Sequence, residues 1–191
     1  MTQKMQGKGL MDRRFVVGAA FLSVPAIGVV GFAAQTGRID LLTPVLPDEG
    51  DLAPVSGVEF RGMPAAPIQR QAFFEGVTLV NIWASWCPYC RSEHGELMAL
   101  AARPGIRLFG IVADDTEDKV AEYLRGHGNP FQRLSIDHRR LYLRAFKQRG
   151  VPSTYVFRQD GVFQHKINGA LTPDIVAARL LPEVQAASAS A

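Results

Sequence analysis

Apolar and polar residues divide this chain into three unequal parts. Phe15 to Ala34 (FVVGAAFLSVPAIGVVGFAA) is predominantly apolar and carries no charge over 20 residues. Thr36 to about Pro54 is rich in Pro, Gly and Asp and has no sustained period, the pattern of a linker. The third part opens with a weak strand signal at Val58 to Phe60, interrupted by Pro64 and Pro67, and then becomes regular. Val77 to Trp83 (VTLVNIW) reads as a strand covered on both faces. Pro88 to about Ala102 predicts a helix, with Leu97, Leu100 and Ala101 at helical spacing before Pro104-Gly105. Ile106 to Ala113 is a second buried strand, and Asp115 or Thr116 caps the next helix, whose Val120, Tyr123 and Leu124 repeat at three and four. Phe131 to Ile136 predicts a short strand and His138 to Lys147 a helix. Thr154 to Arg158 and Val162 to Asn168 flank Asp160-Gly161 and make a hairpin. A last helix starts near Thr172-Pro173, where proline suits a first helical position, and runs to about Leu181; the small-residue tail AASASA is frayed.

Alternating strands and helices imply an α/β fold with right-handed crossovers, and the closing hairpin makes the sheet mixed. The resulting map has a cytoplasmic N-terminus at 1–14, an anchor at 15–34, a linker at 35–54, a folded domain at 55–185 and a flexible tail at 186–191.

At about 1.5 Å of rise per residue, Phe15 to Ala34 is long enough to cross a hydrocarbon core of about 30 Å. A retained transmembrane helix is the preferred reading, because signal peptides usually have a shorter apolar region. A cleaved signal, with Gly31, Ala33 and Ala34 near the cut, and a twin-arginine export signal at Arg13-Arg14 are the alternatives. Four basic residues precede the segment and Arg38 follows it, which puts the N-terminus in the cytoplasm and the domain in the periplasm. The formal charge of +3 belongs to the same tail: Lys4, Lys8, Arg13 and Arg14 against Asp12 account for all of it. The neutral remainder gives no electrostatic reason to expect nucleic acid.

The two cysteines, Cys87 and Cys90, are spaced C-x-x-C just after an apolar strand and at the start of a predicted helix. A disulfide framework would carry more pairs closing longer loops, so this one short pair points to redox chemistry. A helix N-terminus offers free N–H groups and partial positive charge that favour a thiolate, which places Cys87 to attack. Cys90, three residues on, lies on the same face and can resolve a mixed disulfide. Pro88 starts the helix without wasting a donor, and Arg91 either adds positive potential near Cys87 or is a solvated helix residue. The same spacing also suits metal. A structural zinc site wants four ligands and no second C-x-x-C exists, although His94 could supply a third. Covalent haem attachment requires C-x-x-C-H, and Arg91 stands where that His belongs. The four His residues, His94, His127, His138 and His165, show no spacing that builds a site together.

The block Val80 to His94 (VNIWASWCPYCRSEH) resembles the thioredoxin-like cytochrome c biogenesis oxidoreductases of the CcmG/DsbE type. The likeness continues at Gly128-Asn129-Pro130, at Gly150-Val151-Pro152-Ser153-Thr154 and at Gly169-Ala170-Leu171-Thr172, and covers roughly Val77 to Pro182. It implies a thioredoxin-like fold in which Cys87 is the exposed nucleophile and Cys90 the buried resolving thiol. It implies that Val151-Pro152 is cis and that the Val151 backbone hydrogen-bonds an extended partner. Asn81 stands where ordinary thioredoxins keep a buried acid, and its amide cannot titrate. The proton role then falls to Glu93, whose carboxyl, if buried, can exchange a proton with Cys90; the alternative is a solvated Glu at the helix start. Ser153 departs from the subfamily, which usually carries Glu there. Tyr89 is expected beside the sulfur in the docking groove together with Pro88; Trp86 reads as either contact or core, and Trp83 as core.

The resemblance therefore implies a membrane-anchored periplasmic protein-disulfide reductase. Its client would be apocytochrome c or the factor presenting its thiols, and a membrane thiol donor would re-reduce it. No cofactor is needed beyond the Cys87–Cys90 pair, and no metal. The alternatives are a general thioredoxin-like reductant for copper-site assembly on cytochrome oxidase, and a copper chaperone using Cys87, Cys90 and a nearby His, since thiolates suit Cu(I). Reduction potential decides the direction of electron flow.

Overall fold

The computed structural model describes residues 68–189 throughout and, before them, the backbone of three short strand pieces. Those pieces are β1 (Ala53–Pro54), β2 (Glu59–Phe60) and β3 (Met63–Pro64). The expected transmembrane segment at 15–34 lies outside the described residues, and among those described no helix is long and apolar enough to cross a membrane.

The core of the fold is a mixed six-stranded sheet. Besides β1 its strands are β4 (Thr78–Trp83), β5 (Arg107–Val112), β6 (Arg133–Ile136), β7 (Ser153–Phe157) and β8 (Phe163–Asn168). The spatial order is β1-β6-β5-β4-β7-β8, with β4, β5 and β6 parallel and β7 and β8 antiparallel to their neighbours. Between β4 and β5 run α1 (Pro88–Ser92) and α2 (His94–Ala101); α3 (Glu117–His127) links β5 to β6, and α4 (Leu141–Ala145) links β6 to β7. This is the thioredoxin-like α/β arrangement expected from the alternation of elements, with helices packed on a mixed sheet.

β4 explains how the sheet is covered on both sides. Side chains alternate across a strand. Leu79 and Trp83 enter one core with Leu97, Leu100, Leu108, Val120 and Leu124, the face carrying α2 and α3. Val80 and Ile82 enter the other with Phe73, Phe109, Ile111, Tyr142 and Phe157. Asn81 lies between Leu79 and Trp83 in the period of two, so it faces α2, and its burial is complete.

Four local features differ from the sequence pattern. Ala53–Pro54, the end of the segment read as linker, pairs with Ile136 and Ser135 at the sheet edge. The helix expected to run unbroken from Pro88 is divided at Glu93, which ends α1 and begins α2. The helix after β6 is shorter than expected and begins only at Leu141, after Arg140 in a left-handed conformation at φ 54°. Finally, the C-terminal helix does not stop at Leu181. It starts as α5 (Pro173–Ile175), passes through a π segment (Val176–Leu180) and continues as α6 (Leu181–Ala189), so most of the tail is helical. Proline inside a helix removes a donor and crowds the carbonyl four residues back. Pro182 follows directly on the widened π turn, where Leu181 N–H bonds back to Val176, and the helix is carried through it. Val184 and Ala187 are buried, which anchors this last stretch on the core.

Candidate active site

The site forms where β4 ends. Ala84 and Ser85 leave the sheet, Cys87 N–H returns to the Ala84 carbonyl at 3.2 Å, and Cys87 becomes the N-cap of α1 with Pro88 at its first position. The Cys90 backbone N–H donates to Cys87 Sγ at 3.2 Å, so the first sulfur carries one main-chain donor. Asp115 braces this turn from the neighbouring loop: its Oδ2 accepts from Ser85 N–H at 2.7 Å and its Oδ1 from Thr116 N–H at 2.8 Å. Both cysteines are free thiols.

The peptide bond between Val151 and Pro152 is cis, and the Val151 carbonyl lies 3.8 Å from Cys87 Sγ. The expectation of an exposed Cys87 is not met: the residue is 3% exposed, as buried as Cys90. The reason is this loop, which closes against the sulfur. Exposure belongs instead to the flanking aromatics, Trp86 at 55% and Tyr89 at 70%, while Trp83 is core. Trp86 is held by its indole N–H, which donates to the Asp114 carbonyl at 3.0 Å.

Glu93 is fully buried rather than solvated. Its two oxygens are held from opposite directions, Oε1 accepting from Asn81 Nδ2 at 2.9 Å and Oε2 from the Leu171 backbone N–H at 2.8 Å. Asn81 Nδ2 also donates to Thr154 Oγ1 at 3.1 Å, across the β4–β7 pairing that sets Asn81 opposite Thr154. Burial pushes the Glu93 carboxyl up from 4.5 to about 7, against the opposing pull of these two donors. Burial likewise pushes the Cys90 thiol far up, helped by its hydrogen bond with Cys87 and by the nearby charges of Cys87 and Glu93. Cys90 and Glu93 thus form one electrostatically linked pair in which both groups favour the protonated state.

His94, the third-ligand candidate, is turned away from the sulfurs. Its Nε2 lies 3.2 Å from the His127 carbonyl oxygen, and its ring meets Tyr123 edge-on. His127 in turn stacks on Tyr123 at 4.4 Å, so two histidines that showed no shared spacing meet across α2 and α3. Among the described residues, no cluster of three or more His, Cys, Asp or Glu side chains is arranged to hold a metal ion. Ser153 is buried and accepts from Gln148 Nε2 at 2.7 Å. Sequence reasoning passed over Thr154, Leu171 and Asp115 as parts of this site. Only the period-two position of Asn81 on the α2 face could have signalled the buried network.

Known proteins resemble this chain in differing degree. The Redoxin family profile matches residues 49–180. The chain is 32% identical over 121 residues to the thiol:disulfide interchange protein DsbE of Allochromatium vinosum, covering 63% of this chain and 67% of that one. It is 32% identical over 176 residues to the thiol:disulfide interchange protein HelX of Rhodobacter capsulatus, covering 92% and 95%. Other curated DsbE relatives are matched over 52% to 63% of their own length. Among solved structures, a secreted Mycobacterium tuberculosis disulfide oxidoreductase homologous to Escherichia coli DsbE superposes with a TM-score of 0.55 at 20% identity, covering 71% of this chain and 93% of that one. At that identity the likeness concerns the fold alone.

Proposed function

The chain belongs to the Redoxin family, and we propose that it is a thiol:disulfide oxidoreductase working as a protein-disulfide reductase, tethered to the inner membrane with its domain in the periplasm. Its client on this reading is apocytochrome c, or the factor that presents apocytochrome thiols, during cytochrome c maturation; a membrane thiol donor restores the dithiol. The observation that carries the reading is the pair of free thiols at the start of α1, with Cys90 N–H on Cys87 Sγ and a buried carboxyl of pKa about 7 linked to the second sulfur. The relatives named for thiol:disulfide interchange support it.

The chemistry follows from this placement. Cys87, as thiolate, attacks one sulfur of the client disulfide; that bond breaks, a mixed disulfide forms and the client's other sulfur leaves as a thiolate. Cys90 must then lose its proton before it can attack Cys87 Sγ, and burial opposes that loss. Ionised Glu93 takes the proton, so that charge moves within the buried pair rather than being added to it. Attack by Cys90 expels the client's second thiolate and leaves a Cys87–Cys90 disulfide; two electrons have passed to the client. Pro152 and Val151 present the backbone edge along which the client strand lies, and Trp86, Pro88 and Tyr89 border it.

The test is to replace Cys90 by Ser, trap the mixed disulfide in cells and identify the client by mass. An apocytochrome c or its presenting factor is expected. A spread of unrelated secreted proteins would overturn the specialised assignment.

A further inference from the structure

Trp86 stands as a ridge between two cavities, and the charges on its two sides are disposed differently. The smaller cavity, about 270 Å³, is lined by Asp114, Asp115, Asp137 and His138, and it shares Trp86 and Lys119 with the larger one. Its acids are already engaged. Asp115 holds Ser85 and Thr116 N–H groups, Asp137 accepts from Leu141 N–H at 2.6 Å and Leu143 N–H at 3.0 Å, and Asp114 pairs with Arg140 at 3.5 Å. The larger cavity, about 630 Å³, is walled by Trp86, Arg91, Lys119, Glu122, Tyr123 and His127. Among the described residues neither of its cations, Arg91 and the shared Lys119, forms an ion pair with an acid.

Arg91 is the decisive group. Its Nε donates to the Ser85 carbonyl at 2.6 Å and its guanidinium lies over the Tyr123 ring, 5.4 Å from the centroid. Tyr123 is itself buried and braced by stacked His127. The guanidinium is therefore oriented in advance, yet among the described residues neither terminal nitrogen donates to anything, and Lys119 has no ion pair or hydrogen bond. An aligned guanidinium fork with both ends open matches the two oxygens of a carboxylate. Against these two cations the wall carries one acid, Glu122. The cavity begins at Ser85 and Trp86, immediately before Cys87 in the chain.

We propose that this groove is a docking subsite for an acidic side chain of the client polypeptide, its carboxylate held bidentately by Arg91 with Lys119 alongside; the inference rests on the oxidoreductase reading above. Client choice is then set partly by charge beside the attacked cysteine. Ordering Arg91 costs little on binding, because the fold has already done it. The groove is open to solvent, so the preference weakens as salt screens it.

The experiment uses the reduced full chain and two disulfide peptides identical except for Asp or Lys three residues from the half-cystine, with hydroxyethyl disulfide as a small uncharged reference. At low ionic strength the Asp peptide is expected to react about tenfold faster than the Lys peptide, the size of one good charge-assisted contact. The ratio should shrink in half-molar salt, fall toward one in Arg91→Gln, recover only in part in Arg91→Lys, and invert in Lys119→Glu. Equal rates for the two peptides, with hydroxyethyl disulfide still reduced, would overturn the subsite and leave the oxidoreductase reading standing. If no disulfide is reduced, that reading fails instead. The subsite is then judged by the NMR signal of Arg91 Nε–H, which must shift with the Asp peptide and not with the Lys peptide; no shift with the Asp peptide overturns it.

Discussion

Replacing Glu93 by Gln probes the buried carboxyl with a magnitude that can be worked from the structure. In the unfolded chain this group releases its proton near 4.5; in the folded protein it keeps it until about 7. Between those values the native state binds the extra proton. Stability contributed by Glu93 is therefore whole below about 4.5, falls as pH rises toward 7 and stays at its lower value above. At ~1.4 kcal/mol for each tenfold displacement, the interval amounts to about 3 kcal/mol. Gln is neutral at every pH. It has one acceptor oxygen where two donors, Asn81 Nδ2 and Leu171 N–H, now point, so the variant starts with a penalty of about 1–3 kcal/mol at low pH. What matters is the slope. The stability of Glu93→Gln minus that of the parent should rise by about 3 kcal/mol between pH 4 and pH 8, measured by urea denaturation of the reduced proteins. Other titrating groups are common to both chains and drop out of the difference. A flat difference would refute the raised carboxyl. A difference that falls with pH would mean that the two hydrogen bonds outweigh burial and hold the group ionised.

Two further outcomes are expected. Gly110→Ala should destabilise the domain by about 1–3 kcal/mol in the same denaturation assay, since a Cβ there meets Leu134 Cδ1 at 2.6 Å and the Phe131 ring at 2.8 Å; unchanged stability would show that β5 and β6 yield freely. In Cys87→Ser the lone Cys90 should react with a chromogenic disulfide reagent at pH 8 at least about tenfold slower than after unfolding in guanidinium, because burial opposes its thiolate; equal rates would contradict its placement.

The buried network also bears on how this chain manages without a titratable group at position 81. Asn81 cannot carry a proton, but it fixes one oxygen of the residue that can, 12 positions later. Among the described residues nothing donates to its own Oδ1. Such an unmet acceptor is tolerated in a few buried places only, and here it sits beside the acid–thiol pair.

Short-range physics made much of this protein legible in its residues. The runs at β4 and β5, the turn at Asp160-Gly161 and the C-x-x-C at a strand-to-helix junction each follow from a few adjacent side chains, and each stands near its expected place. What tertiary structure alone decided is burial and partnership across distance. Glu93 reads equally well as a solvated helix residue until Leu171, 78 positions away, turns its N–H onto it. Arg91 becomes an oriented guanidinium only when Tyr123 arrives from α3. Cys87 loses its exposure to a loop 64 residues downstream, and the C-terminal helix survives Pro182 because a π turn makes room and the core rewards Val184 and Ala187. Periodicity reports which way a side chain faces; the dielectric, the donors and the charges it meets there belong to whatever the fold packs against it.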